Sequence, residues 1–145
     1  MNKFAIALTS FAALMTVGVS ASQAGSKVIV EQYGYGNGVG IGQKGYSNRV
    51  HTYQRGTWNY VRSTQGGARN DAVVGQQGRR NGATVNQRGS RNVAGIAQFG
   101  NNNRATTSQS GSGNTAATIQ IGNGKTANVT QSGKNNTSVI IQGGW

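Results

Sequence analysis

Apolar and polar positions alternate along this chain, and the phase of the alternation is reset every eleven residues. Val39 and Ile41 are followed at the same parity by Gln43, Ala83 and Val85 by Gln87, and Ala94 and Ile96 by Gln98. Strand side chains point to opposite faces in turn, so each such run predicts a short strand with one inward face. With each Gln counted as position zero, the inward face reads Asn at five, a small or β-branched residue at seven and nine, and then the next Gln. The segment x-Gly-x-x-Asn between two such runs predicts a turn, because Gly accepts positive φ freely and Asn accepts it better than most residues.

The period never slips. Gln recurs as Gln32, Gln43, Gln54, Gln65, Gln76, Gln87, Gln98, Gln109, Gln120, Gln131 and Gln142. Two residues on stand Gly34, Gly45, Gly56, Gly67, Gly78, Gly89, Gly100, Gly111, Gly122 and Gly133, with Gly144 after the last Gln. Five residues on stand Asn37, Asn48, Asn59, Asn70, Asn81, Asn92, Asn103, Asn114 and Asn136, and Lys125 alone departs. Identical residues at a fixed period are what a solenoid requires, because each rung then stacks a side chain on its own copy. The expected fold is all-β: a β-solenoid of eleven-residue strand–turn units, two facing parallel sheets, about five and a half rungs of two units each. Strands one rung apart would lie in register at ~4.8 Å.

Such a core is half polar. Val and Ile would each gain ~1.5–3 kcal/mol on full burial, whereas a buried amide left without partners would cost ~1–3 kcal/mol. Stacked Gln amides answer this by donating to one copy and accepting from the other. For Asn two readings stay open, a ladder of the same kind or the backbone demands of the turn.

The repeat Gln-x-Gly-x-x-Asn-x-Ala-x-x-x-Gln is fitted throughout by residues 87–98 and again by 109–120. It resembles the curlin repeat of curli subunits, secreted proteins that form bacterial surface amyloid fibres, and the likeness covers Gln32 to Gln142. The resemblance implies export through an outer-membrane secretion pore, nucleated assembly with copies of itself and other curli subunits or a nucleator, and a role in adhesion and biofilm matrix. Curlin repeats often carry a Ser near the start of each rung's first strand, and no such Ser recurs here at a twenty-two-residue phase. A non-repeat leader after the signal peptide is also missing, so major and minor subunit both remain open.

Composition changes the picture at the N-terminus. A short basic start, an uncharged apolar run from Phe4 to Val19 and closing small residues predict a signal peptide over 1–24, cut after Ala24 or after Ala21, with the repeat domain over 25–145. The run is shorter than the ~20 residues of a membrane span. The chain has no Cys and no Pro, which excludes disulfides, thiol catalysis and Cys-ligated zinc. Abundant Gly and low apolar content alone would suggest disorder, but a disordered chain has no reason to keep phase.

The formal net charge is +12, from 14 Lys and Arg against 2 acids. Arg49, Arg55, Arg62, Arg69, Arg79, Arg80, Arg88 and Arg91 crowd the middle repeats at outward or turn positions. They read either as gatekeepers that slow sheet stacking by repulsion or as a surface for extracellular DNA or anionic polysaccharide. Aromatics from Tyr33 to Phe99 avoid the inward positions and are expected to pack between rungs, with Trp145 closing the terminus. His51 is expected to have no carboxylate near it. No cofactor or metal is expected, and no catalytic constellation is found, so the chain reads as a non-enzyme.

Two functions remain. A fibre subunit is favoured because neither end of the repeat carries a cap, so Gln32, Gln43, Gln131 and Gln142 would form joints between copies. The alternative is a monomeric secreted basic β-solenoid that binds anionic polymers. An ice-binding face is weak, because the outward series of Thr115, Thr126 and Thr137 is not continued in earlier repeats.

Overall fold

Eleven-residue units with an inward stripe and a glycine at a fixed place should wind into stacked rungs, and they do. A computed structural model describes residues 17–19 and 25–144. Its strands are β1 (Val17–Val19), β2 (Lys27–Tyr35), β3 (Gly38–Tyr46), β4 (Arg49–Thr57), β5 (Tyr60–Ala68), β6 (Asp71–Arg79), β7 (Gly82–Ser90), β8 (Val93–Asn101), β9 (Arg104–Ser112), β10 (Thr115–Asn123), β11 (Thr126–Lys134) and β12 (Thr137–Gln142). One sheet runs β1-β3-β5-β7-β9-β11 and the other β12-β10-β8-β6-β4-β2. Every pair is parallel and offset by one rung, so that Gln98 lies beside Gln76 and Gln120, and Ala94 beside Ala72 and Ala116. The all-β solenoid of two facing parallel sheets is therefore the fold.

The signal peptide expected over 1–24 lies outside the described residues except for β1, which pairs with β3. Trp145 lies outside them as well.

The hydrogen-bond ladder does not stop at the corners. The Lys27 amide donates to Asn48 O and the Arg49 amide to Asn70 O, each at 2.8 Å, and the Trp58 amide donates to Tyr35 O at 3.0 Å. Rungs are thus bonded through the turns, where a loop would ordinarily leave backbone groups to water. Between the sheets lies a thin core that includes Val28, Val30, Val39, Ile41, Val50, Val61, Val74, Val85 and Ile96, with Ala72, Ala83, Ala94 and Ala105.

Two expectations about the turn are corrected. Strands extend through Gln and Gly to position three, so the turn is two residues rather than five. The Gly row sits inside the strands with φ between +104° and +126°; the chain bends there without leaving the ladder, because the rung above bends at the same place. Asn does not adopt positive φ except at Asn102 and Asn135, which precede the ladder Asn by one residue. The left-handed residue is position four, held by Ser47, Trp58, Arg69, Arg80 and Arg91 at φ between 55° and 58°.

Candidate functional site

Three features could do something: the amide ladders inside, and the two outer faces. Inside, each Gln side chain from 32 to 120 donates from Nε2 to Oε1 of the Gln twenty-two residues on, over nine bonds of 2.6–2.9 Å. The second Nε2 hydrogen crosses the core to a main-chain carbonyl of the facing sheet, as from Gln87 to Asp71 O at 3.0 Å and from Gln98 to Gly82 O at 3.0 Å. Gln54, Gln65, Gln76, Gln87, Gln98, Gln109 and Gln120 are fully buried. All nine bonds point the same way along the axis. Gln32 and Gln43 consequently present buried Oε1 atoms with no donor, and the Nε2 groups of Gln131 and Gln142 bond the facing main chain at Thr115 O and Thr126 O, each at 3.0 Å, with one hydrogen left over.

Asn and Gly form a second, interlocked series. Asn Nδ2 donates to the carbonyl of the Gly in the next rung at 2.8–3.1 Å, from Asn37 to Gly56 O through to Asn114 to Gly133 O. Its Oδ1 accepts the backbone N–H of the residue one rung on, as Asn70 does from Asn92 at 3.1 Å. Within this series, among the described residues, direct amide-to-amide bonds join the row Asn48, Asn70, Asn92, Asn114, Asn136, and on the outside Asn101 bonds Asn123 in the same way. The ladder is therefore mostly side chain to backbone. Lys125 keeps the backbone half, its N–H bonding Asn103 Oδ1 at 3.0 Å, but has no amide to cap the next Gly. From Gly34 to Gly122 the Gly row is closed to any side chain: a Cβ on Gly89 would stand 2.0 Å from Gly111 O. Position nine also carries Thr52, Ser63, Thr107 and Thr118, whose buried hydroxyls find no partner.

The arginines do not converge. Arg62 and Arg88 project from the β3–β11 sheet, and Arg49, Arg55 and Arg79 from the β2–β12 sheet. Arg69 and Arg91 occupy one row of turns and Arg80 the opposite row. Arg49 is already engaged, since its Nε bonds Asp71 Oδ1 at 3.0 Å and its Nη2 contacts the other oxygen. The hydrogen bond and the charge of Asp71 raise the Arg49 pKa further. Two hollows of about 510 and 520 Å³ lie on the β3–β11 sheet, one with Trp58, Tyr60, Arg80 and Arg104 around Gly82, the other with Lys44 and Arg88 around Gly66.

His51 was expected to lack a carboxylate, and this is corrected: its Nε2 lies 3.7 Å from Glu31 Oε1 on the next rung. That is too long for a hydrogen bond and becomes an ion pair only when the imidazole is protonated. The aromatics do meet across rungs, Tyr33 with Tyr53 at 5.7 Å and Tyr35 edge-on to Trp58 at 5.3 Å. Among the described residues no three His, Cys, Asp or Glu gather as metal ligands.

One feature was missed in the sequence. Outward positions of the β3–β11 sheet are polar, glycine or basic apart from Tyr46, Tyr60 and Ala68, but those of β6, β8, β10 and β12 leave the aliphatic and phenyl side chains of Val73, Val93, Phe99, Ile121, Val139 and Ile141 exposed. The signal was present at a spacing of twenty-two residues.

Among known families, the curlin associated repeat matches this chain three times, at residues 45–78, 78–106 and 100–133. No curated protein matches it.

Proposed function

The chain belongs to the curlin repeat family, and on that premise we propose that it is a subunit of an extracellular curli-type fibre. Copies add end to end to serve cell adhesion and the biofilm matrix. The observation that carries this reading is the pair of open ladder ends. Acceptors without donors at Gln32 and Gln43 meet donors at Gln131 and Gln142, and a second copy stacked in register satisfies both. The backbone edges of β2 and β12 offer the same continuation. A copy is the partner, with other curli subunits or a nucleator able to present the same edge, and export runs through an outer-membrane pore after removal of residues 1–24.

The test is amyloid-dye kinetics on purified residues 25–145, with fibre diffraction of the product. Growth with a reflection near ~4.8 Å along the fibre axis is expected. Stable monomers at all concentrations would refute the reading. A second reading, a monomeric solenoid binding extracellular DNA or anionic polysaccharide, is favoured by the two basic hollows around Gly66 and Gly82 and would then be tested by salt-dependent binding.

A further inference from the structure

The chain carries 14 Lys and Arg, yet β8, β10 and β12 hold no charged residue at all. Asp71 and Arg79, at the two ends of β6, mark the border of this neutral zone. Two copies approaching by the opposite sheet bring Lys44, Arg62, Arg88, Arg104 and Lys134 towards one another. Here they do not.

The same zone has a shape. Gly75, Gly95, Ala97 and Ala117 give it a shallow trough of about 260 Å³, closed at its sides by Val73 and Ile119. Nothing lies within 4 Å of where a Cβ on Gly75 would stand. The trough runs from Gly75 through Gly95 and Ala97 to Ala117, between Val73 on β6 and Ile119 on β10, while Val139 and Ile141 on β12 stand out beside Ala117 and Ile119. A two-fold axis lying in the face along the strand direction, between β8 and β10, reverses strand order and lays the Val139 and Ile141 side chains of β12 over Gly75 and its neighbours on β6 of the other copy. That is the isologous arrangement by which a single patch fits itself.

We propose that this face of the β2–β12 sheet is a mating surface for a second copy, and that it joins two fibres laterally, face to face and antiparallel. The proposal rests on the fibre reading above. Its size fits that setting: four strands at ~4.8 Å by about six residues at ~3.3 Å give ~400 Å² per copy. The ~800 Å² total falls below the ~1,200 Å² of a stable pair, so isolated chains dimerise weakly through it. Fibres meet at many such faces at once, and the joints act together. Small residues at the centre allow the ~10 Å spacing of mated sheets.

The test compares mass per length of fibres, by scanning transmission electron microscopy, for the native chain, A97K/A117K and T84K/T106K. Both variants add two lysines at outward strand positions, the second on the polar sheet. The expected result is paired native fibres, paired T84K/T106K fibres, and A97K/A117K fibres of half the mass per length growing at the native dye rate. Single native fibres, an unchanged A97K/A117K width, or equal loss of pairing in both variants would overturn the proposal. If the native chain forms no fibres, the fibre reading fails separately. Sedimentation at high concentration then decides this one: dimers lost in A97K/A117K keep the mating surface, and monomers throughout refute it.

Discussion

Gly89→Ala and Gly133→Ala put the same methyl group into the same backbone conformation, with φ of +108° and +107°, and should differ greatly in effect. Left-handed strain of ~1–3 kcal/mol is common to both and cancels in the comparison. What does not cancel is the neighbour. The new Cβ at 89 stands 2.0 Å from Gly111 O, whereas at 133 nothing closer than Asn136 Nδ2 at 3.5 Å is met. An ordinary carbon–oxygen contact is over 3 Å, so rungs β7 and β9 must part by ~1 Å at that corner, an overpacking cost of ~1–3 kcal/mol. The Asn92 bond to Gly111 O at 3.1 Å lengthens with it, which adds ~0.5–1.5 kcal/mol. The difference between the variants is thus ~1.5–4.5 kcal/mol. Urea unfolding of freshly desalted monomer, followed by circular dichroism, reads it as a midpoint at least ~0.7 M lower for Gly89→Ala if the slope is ~1–2 kcal/mol per M. Equal midpoints would refute the claim that the stacked carbonyl, rather than φ alone, keeps this row glycine.

Two further outcomes follow from the same geometry. Gln87→Glu keeps the acceptor for Gln65 but loses the donors to Gln109 and Asp71 O; burial raises the carboxyl pKa above its unfolded ~4.3. The variant is therefore expected to be unstable at neutral pH and to recover as pH falls towards ~4 and the acid regains a proton to donate, and a urea midpoint that does not rise on acidification would contradict it. Arg80→Asn relieves a bulky side chain at φ 56° and should raise the midpoint, by ~0.5–1 kcal/mol in stability given the cost of the left-handed region; a fall would mean that Arg80 makes a contact worth more than the strain.

The inside of this molecule was legible because its residues stack on their own copies. Gln87 needs Gln65 and Gln109, Gly89 needs a neighbour without a side chain, and both demands surface as a period of eleven. The left-handed position was only half legible: Gly36, Asn102, Gly113, Gly124 and Asn135 suit it, but Ser47, Trp58 and Arg69 share no chemistry, and the backbone there is fixed by Gly and Asn on either side. Outward positions answer to another rule. Their neighbours lie one full rung away in the same sheet, so the polar face and the apolar one interleave in the sequence and separate only when alternate units are read apart. The Glu31–His51 approach was hidden likewise, being distant along the chain and adjacent across a rung.

The one-way run of the glutamine bonds makes the solenoid an arrow. Its side-chain amide dipoles add along the axis as peptide dipoles add in a helix, negative at the Gln32 end and positive at the Gln142 end. A bare strand edge has no such preference and could accept a neighbour of either sense. The ladder cannot, because joining two like ends would set carbonyl against carbonyl. Any filament grown from these copies therefore has a plus end and a minus end, which offer different groups to an incoming chain and should elongate at different speeds.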